Sequence, residues 1–144
     1  KTDLKKTGYK SNMFDIILCN HVLEHIPNID KALSELKRIL KPQGILILNV
    51  PNEGCFMANL RNKFFQKKMF ESTDHVHFFT RKKFSKVLYN NKIKILKWYR
   101  IGFFFPFLPF QILIRKYVIG RLIEKLLGLI FSSQSTDLIV STTK

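Results

Sequence analysis

The stretch from Phe14 to Asn52, FDIILCNHVLEHIPNIDKALSELKRILKPQGILILNVPN, decides the fold. An uncharged run, Ile16 to Cys19, leads into a polar cluster and then a segment where Ala32, Leu33, Leu36, Ile39 and Leu40 recur at helical spacing. Lys41-Pro42-Gln43-Gly44 interrupts that segment before a second apolar run, Ile45 to Val50. The order is strand, turn, helix, turn, strand. Asn28 or Asp30 is placed to cap the helix by accepting from a free backbone N–H, while Lys37, Arg38 and Lys41 fall in its last turn, where cations suit the dipole. Both strands are apolar at successive positions, which predicts burial on both faces in a parallel sheet covered by helices. A right-handed crossover brings the C-terminal ends of the two strands to one edge of the sheet, where ligands of open α/β folds bind. The groups to watch at that edge are Asn20, His21, Glu24 and His25 after the first strand, and Asn52 and Glu53 after the second.

Working outward, the chain of 144 residues is the size of one domain, and its 46% hydrophobic content is that of an ordinary globular core. Two cysteines, Cys19 and Cys55, have neither the number nor the spacing of a disulfide framework or a zinc site, so a reducing, cytoplasmic setting is expected. The first residue is Lys1, and the chain is read as a piece of something longer. The net charge of +15 is uneven, at +4 for residues 1 to 74 and +11 for residues 75 to 144. Such a field suits anionic lipid or nucleic acid, and equally a solvated lysine-rich surface. No nucleic-acid-binding motif accompanies it, so a basic RNA-binding module is the least favoured class.

Residues 1 to 13 read as a polar loop in which Asp3 is the acidic group. Beyond Val50, Pro51-Asn52-Glu53-Gly54 is a turn and Phe56 to Phe70 a helix. Thr80 is a natural N-cap for a helix that buries Phe84, Val87 and Leu88, with Asn90-Asn91 as its stop. Ile93 to Tyr99 alternates as a strand with one wet face, and Leu138 to Val140 is a short last strand. Residues 101 to 133 form a hydrophobic insertion. Its longest charge-free stretch, Ile101 to Ile114, is 14 residues and holds Pro106 and Pro109, short of the roughly 20 apolar residues that a spanning helix needs. On one helical wheel drawn from Phe110 onward the amphipathicity is weak. An in-plane membrane helix and a hairpin packed over a substrate crevice or a second subunit are both open readings.

FDIILCNHVLEHIPN, followed by LKRILKPQGILILNVPN and HVHFFTRKKFSKVL, resembles the C-terminal half of class I S-adenosylmethionine-dependent methyltransferases, in particular the ubiquinone-biosynthesis O-methyltransferase group. The resemblance covers about residues 2 to 100 and the last strand. It implies an α/β, Rossmann-like, mostly parallel sheet of seven strands, of which this chain would supply strands 4 to 7 within a single domain, 1 to 144, with the hydrophobic helical insertion before the last strand. The family's acidic-Gly-x-Gly-x-Gly loop is absent, since the six glycines never form Gly-x-Gly. The N-terminal half of the same domain is therefore an expected partner.

By the same resemblance S-adenosylmethionine is the cofactor. Asp3 and Leu4 correspond to the residues at the adenine, and Asn20 and His21 to those at the methionine end. Methyl transfer to a hydroxyl calls for a base, and His25, His75 and His77 are the candidates, with Asn52 and Glu53 as substrate-side groups. No metal is expected; were one bound, His21, Glu24 and His25, which share one helical face, would hold it. The implied reaction is methyl transfer to a small-molecule, lipid-linked or glycan-linked acceptor, in the cytoplasm or at the inner face of the membrane. The rival expectation is a truncated, non-catalytic fragment with a basic tail that binds membrane or a partner. Such a fragment would leave its first strand with an open edge and an uncovered apolar face.

Overall fold

In the computed structural model, which describes residues 3–64, 74–103, 105 and 108–144, one mixed sheet organises the chain. Strand β1 (Phe14–Asn20) pairs in parallel with β2 (Leu40–Pro51), and β4 (Asp137–Thr143) lies between β2 and β3 (Lys94–Ile101), antiparallel to both. The spatial order is β1-β2-β4-β3. Between β1 and β2 run a 3₁₀ turn, Leu23–His25, and helix α1 (Ile29–Ile39). Helices α2 (Phe56–Phe64) and α3 (Arg81–Asn90) follow β2; α4 (Leu108–Lys116) and α5 (Val118–Ile130) separate β3 from β4. The part of the expected helix from 65 to 70 lies outside the described residues.

Local chemistry sets these bounds. Asn28 Oδ1 accepts from the Lys31 N–H and Thr80 Oγ1 from the Lys83 N–H, so each helix starts at a side chain that meets an otherwise free donor. Helix α3 ends at Asn91, whose amide bonds the Val87 carbonyl; the left-handed residue is the next one, Lys92, at φ 54°. Strand β2 starts at Leu40, earlier than the expected Ile45, because Leu40 already pairs with Phe14. The Pro42-Gln43-Gly44 segment sits as an irregularity inside the ladder, with Gln43 at φ 64°. The last strand is longer than expected: Thr142 and Thr143 donate their hydroxyls to the carbonyls of Leu46 and Gly44 and extend the pairing.

The core lies on one face of the sheet. Ala32, Leu33 and Leu36 of α1 and Phe84 and Leu88 of α3 pack on Leu46, Leu48, Val50 and Val140, each buried. A fully buried side chain of this size contributes about 1.5–3 kcal/mol. Lys37 Nζ donates to the Asn91 carbonyl at 3.0 Å and ties the two helices side by side on that face.

The opposite face corrects the expectation of two-sided burial. Ile16 and Leu18 of β1 are 62% and 66% exposed, and Ile45, Leu96, Tyr99 and Ile101 are exposed as well. The apolar runs give the strands two apolar faces, but the described helices cover only one. In β3 a register shift between Ile95 and Lys97 moves Trp98 inward and leaves Leu96 and Tyr99 outward, so the lysine-lined wet face expected there is partly apolar.

Candidate active site

The C-terminal ends of β1 and β2 meet at one edge, and the polar residues gather there. At the end of β1, Asn20 Oδ1 accepts from Asn49 Nδ2 at 2.7 Å. The next residue, His21, takes φ 49°, a left-handed conformation that a β-carbon disfavours and that clusters at functional sites. Its backbone N–H donates to the Asn49 carbonyl, and its ring is held between Asp137 Oδ1, 2.9 Å from Nε2, and Glu24 Oε1, 3.4 Å from Nδ1.

Glu24 is fully buried in the 3₁₀ turn, and neither carboxylate oxygen has a hydrogen-bond partner among the described residues. Its backbone carbonyl accepts from the N–H groups of Val76 and His77, which docks the segment after residue 73 onto the turn. That docking brings His75 beside His25, with ring centroids 4.6 Å apart and edge to face. His25 Nδ1 lies 3.0 Å from Asp74 Oδ1, and His75 Nδ1 lies 2.6 Å from Glu53 Oε2. Glu53 enters from the turn after β2, so two strand ends and one loop supply the cluster.

Asn52 and His77 stand apart from it. Asn52 is buried and donates its amide to the carbonyls of Ser133 and Ser135, fixing the entry to β4. His77 Nε2 donates to the Ile26 carbonyl at 2.9 Å and its ring stacks on Phe79, which holds the loop in place. Asp3 is exposed; its Oδ1 accepts from the Lys5 N–H. Leu4 joins Cys19 and Val22 in lining an apolar cleft of about 460 Å³ beside β1. Burial and, to a smaller degree, the Glu24 charge push the Cys19 thiol up to about 12, so it supplies no thiolate. Both cysteines are buried, and neither is in a disulfide among the described residues.

The ligand atoms of Glu24, His25 and His75 all lie within 4.8 Å of one another, a set of two imidazoles and one carboxylate that could hold a divalent cation. It differs from the set drawn from sequence by exchanging His21 for His75. Asn49, Asp74 and Asp137 belong to the site and escaped the sequence reading. Asp137 was recoverable in principle, because the first residue of a strand antiparallel to β2 must sit at the C-terminal end of β2.

Residues 1–94 match the family described as "Methyltransferase domain", and the chain belongs to that family. An uncharacterized protein of Methanocaldococcus jannaschii is 33% identical over 137 residues, which span 94% of this chain and 56% of that protein. A ubiquinone biosynthesis O-methyltransferase of Bartonella bacilliformis is 26% identical over 66% of this chain and 40% of its own length. Among solved structures, an S-adenosylmethionine-dependent methyltransferase of Thermotoga maritima superposes with a TM-score of 0.66 at 16% identity, over 100% of this chain and 62% of that one. The [4+2]-cyclase SpnF gives 0.61 at 18% identity, over 99% of this chain and 54% of its own, so the fold also hosts other chemistry. The chain thus spans about half the length of these two curated relatives.

Membership implies S-adenosylmethionine as cosubstrate, and part of that molecule finds a fit here. The apolar cleft at Leu4 runs along β1 from Phe14 to Cys19. Asn49 Oδ1, buried with no hydrogen-bond partner among the described residues, and the exposed Asn20 offer amide groups of the kind that a methionine zwitterion needs.

Proposed function

We propose that this chain is the acceptor-side part of an S-adenosylmethionine-dependent methyltransferase that acts on a hydroxyl of a small or lipid-linked acceptor, with the Glu53–His75 pair as its base. The observation that carries the reading is the 2.6 Å contact between Glu53 Oε2 and His75 Nδ1 at the sheet edge. A carboxylate on Nδ1 fixes the tautomer and leaves Nε2 to accept a proton. S-adenosylmethionine, when bound, supplies the methyl group from its sulfonium. Asn20 and Asn49 hold the methionine end and Asp3 with Leu4 the adenine. His75 takes the hydroxyl proton as the acceptor oxygen attacks. His25, against the His75 ring with its Nδ1 3.0 Å from Asp74 Oδ1, and His21, which lies between Asp137 and the buried Glu24, keep that ring and the strand end in place. Likeness to the ubiquinone O-methyltransferases supports a hydroxyl acceptor and stays part of the proposal.

The open apolar face of β1 and the share of the relatives that is covered favour a second reading for the chain on its own. By that reading it is inert until the remainder of the domain covers the face and supplies the glycine-rich loop. Calorimetric titration of S-adenosylhomocysteine into this chain, and into the protein carrying the sequence that precedes Lys1, tests both. Binding by the longer protein alone is expected. In that protein His75→Gln should lower kcat by about 10²–10⁴-fold while cofactor affinity is kept. Absence of binding by either form, or an unchanged kcat in His75→Gln, would overturn the proposal.

A further inference from the structure

We infer that the α4–α5 pair is a docking surface for an anionic lipid bilayer, lying in the plane of the interface. The helix α5 is built inside out. Its residues that face the protein are Gly120, Glu124 and Gly128, spaced by four, and all three are buried. A side chain at Gly120 would strike the Ile114 carbonyl, and one at Gly128 the Gly102 carbonyl, so the helix seats by backbone approach without a hydrophobic stripe. Glu124 closes the contact by accepting from the Arg115 guanidinium across the pair, with Nε to Oε2 at 2.9 Å.

The residues turned to the outside are the apolar ones. Val118, Ile119, Leu122, Ile123, Leu126 and Ile130 are all exposed, with Ile119 and Ile130 each at 71%. At 3.6 residues per turn they fill an unbroken arc of about 140°, bordered on one side by Arg121 and Lys125. In water this arrangement is unfavourable, because the broad aliphatic arc gains nothing from facing outward. A bilayer interface reverses the sign. It takes up the apolar arc and holds the flanking cations at the headgroups.

Charge selects lipid over a second protein surface. The one acidic residue of the segment, Glu124, is buried and paired, so Lys116, Arg121 and Lys125 present an exposed field of one sign. A two-fold copy would bring those cations together, whereas an anionic leaflet neutralises them. No helix among the described residues is long and apolar enough to cross a membrane, and α5, at 13 residues, is about 20 Å long, which suits a helix lying flat. The surface is also remote from the open edge at β1, because α5 packs at the end of β3, the opposite edge strand. The segment after α5 is tied to the turn after β2, where Asn52 holds the carbonyls of Ser133 and Ser135.

Flotation of the full chain with phosphatidylcholine vesicles, with and without phosphatidylglycerol, tests the inference without requiring methyl transfer. Binding to the phosphatidylglycerol vesicles is expected. The double variant Leu122→Glu, Leu126→Glu should abolish it. Arg121→Gln with Lys125→Gln should weaken it about thirty-fold, at roughly 1 kcal/mol per cation. All four positions are exposed, so both variants should keep the parent circular dichroism and melting curve. Failure to bind phosphatidylglycerol vesicles, or equal binding by the Leu122/Leu126 variant, would overturn the inference. So would a dimer that this variant dissociates in a chain that ignores vesicles, which would make a second copy the occupant. None of these outcomes bears on the methyl-transfer reading, which cofactor titration tests separately.

Discussion

Helices α1 and α5 are of similar length, 11 and 13 residues, yet they are assembled in opposite senses. In α1 the stripe Ala32, Leu33, Leu36 and Ile39 is buried, and the polar residues face water. In α5 the stripe Gly120, Glu124 and Gly128 is buried, and the aliphatic residues face out. The contrast shows that an apolar face on a helix fixes which side seeks a low-dielectric environment without saying whether the protein itself supplies it. For α1 the sheet supplies it. For α5 the protein side is already filled by backbone contact and one ion pair.

Matched truncations put the contrast at risk most directly. Leu36→Ala, which removes a core side chain, should destabilise by about 2–5 kcal/mol in urea unfolding. Leu126→Ala, at the same helical chemistry, should stay within about 0.5 kcal/mol. Similar losses at both positions would mean that α5 buries its leucines against protein in solution, and the inside-out assignment would fail.

A smaller effect should come from the ion pair that seats α5. The Arg115 guanidinium donates to Glu124, whose hydrogen bonds hold the Arg115 pKa above its ordinary value. Arg115→Met removes the guanidinium hydrogen bonds from that buried carboxylate, at a cost of about 1.5–3 kcal/mol. Because α4 and α5 meet little of the core, the loss should appear as reduced helical ellipticity and faster amide exchange in residues 112–130 ahead of global melting. Uniform destabilisation of the sheet would contradict a separately seated pair.

The smallest effect lies on the wet face of α1. The Arg38 side chain and then the Thr7 hydroxyl hydrogen-bond to Glu35 and hold its carboxyl down to about 2, from an ordinary 4.5. A depressed carboxylate contributes stability above its unfolded pKa and loses it as pH falls through the folded value. The melting-temperature gap between the parent and Glu35→Gln should therefore be constant above about pH 5 and close between pH 4.5 and pH 2. A gap that persists at pH 2 would detach the network from the titration of this group.

What the sequence determined by itself is what local rules govern: the strand-helix-strand core, a cap at Asn28 or Asp30 and another at Thr80, and the gathering of Asn20, His21, Glu24 and His25 at the end of one strand. Each depends on residues a few positions apart, so spacing and side-chain chemistry suffice to read it. Glu53 and His75 could be nominated singly, but their pairing required the Glu24 carbonyl to dock a loop some fifty residues onward, and no periodicity records that. The same holds for Asp137 on His21, which depends on the placing of β4 beside β2. A single wheel through 110–131 blurred the outward arc of α5, because extended Tyr117 breaks the helix and resets its phase. Only the tertiary structure decided which face of α5 meets the protein, since that choice rests on whether glycine permits backbone contact, a property of the neighbouring chain as much as of the helix.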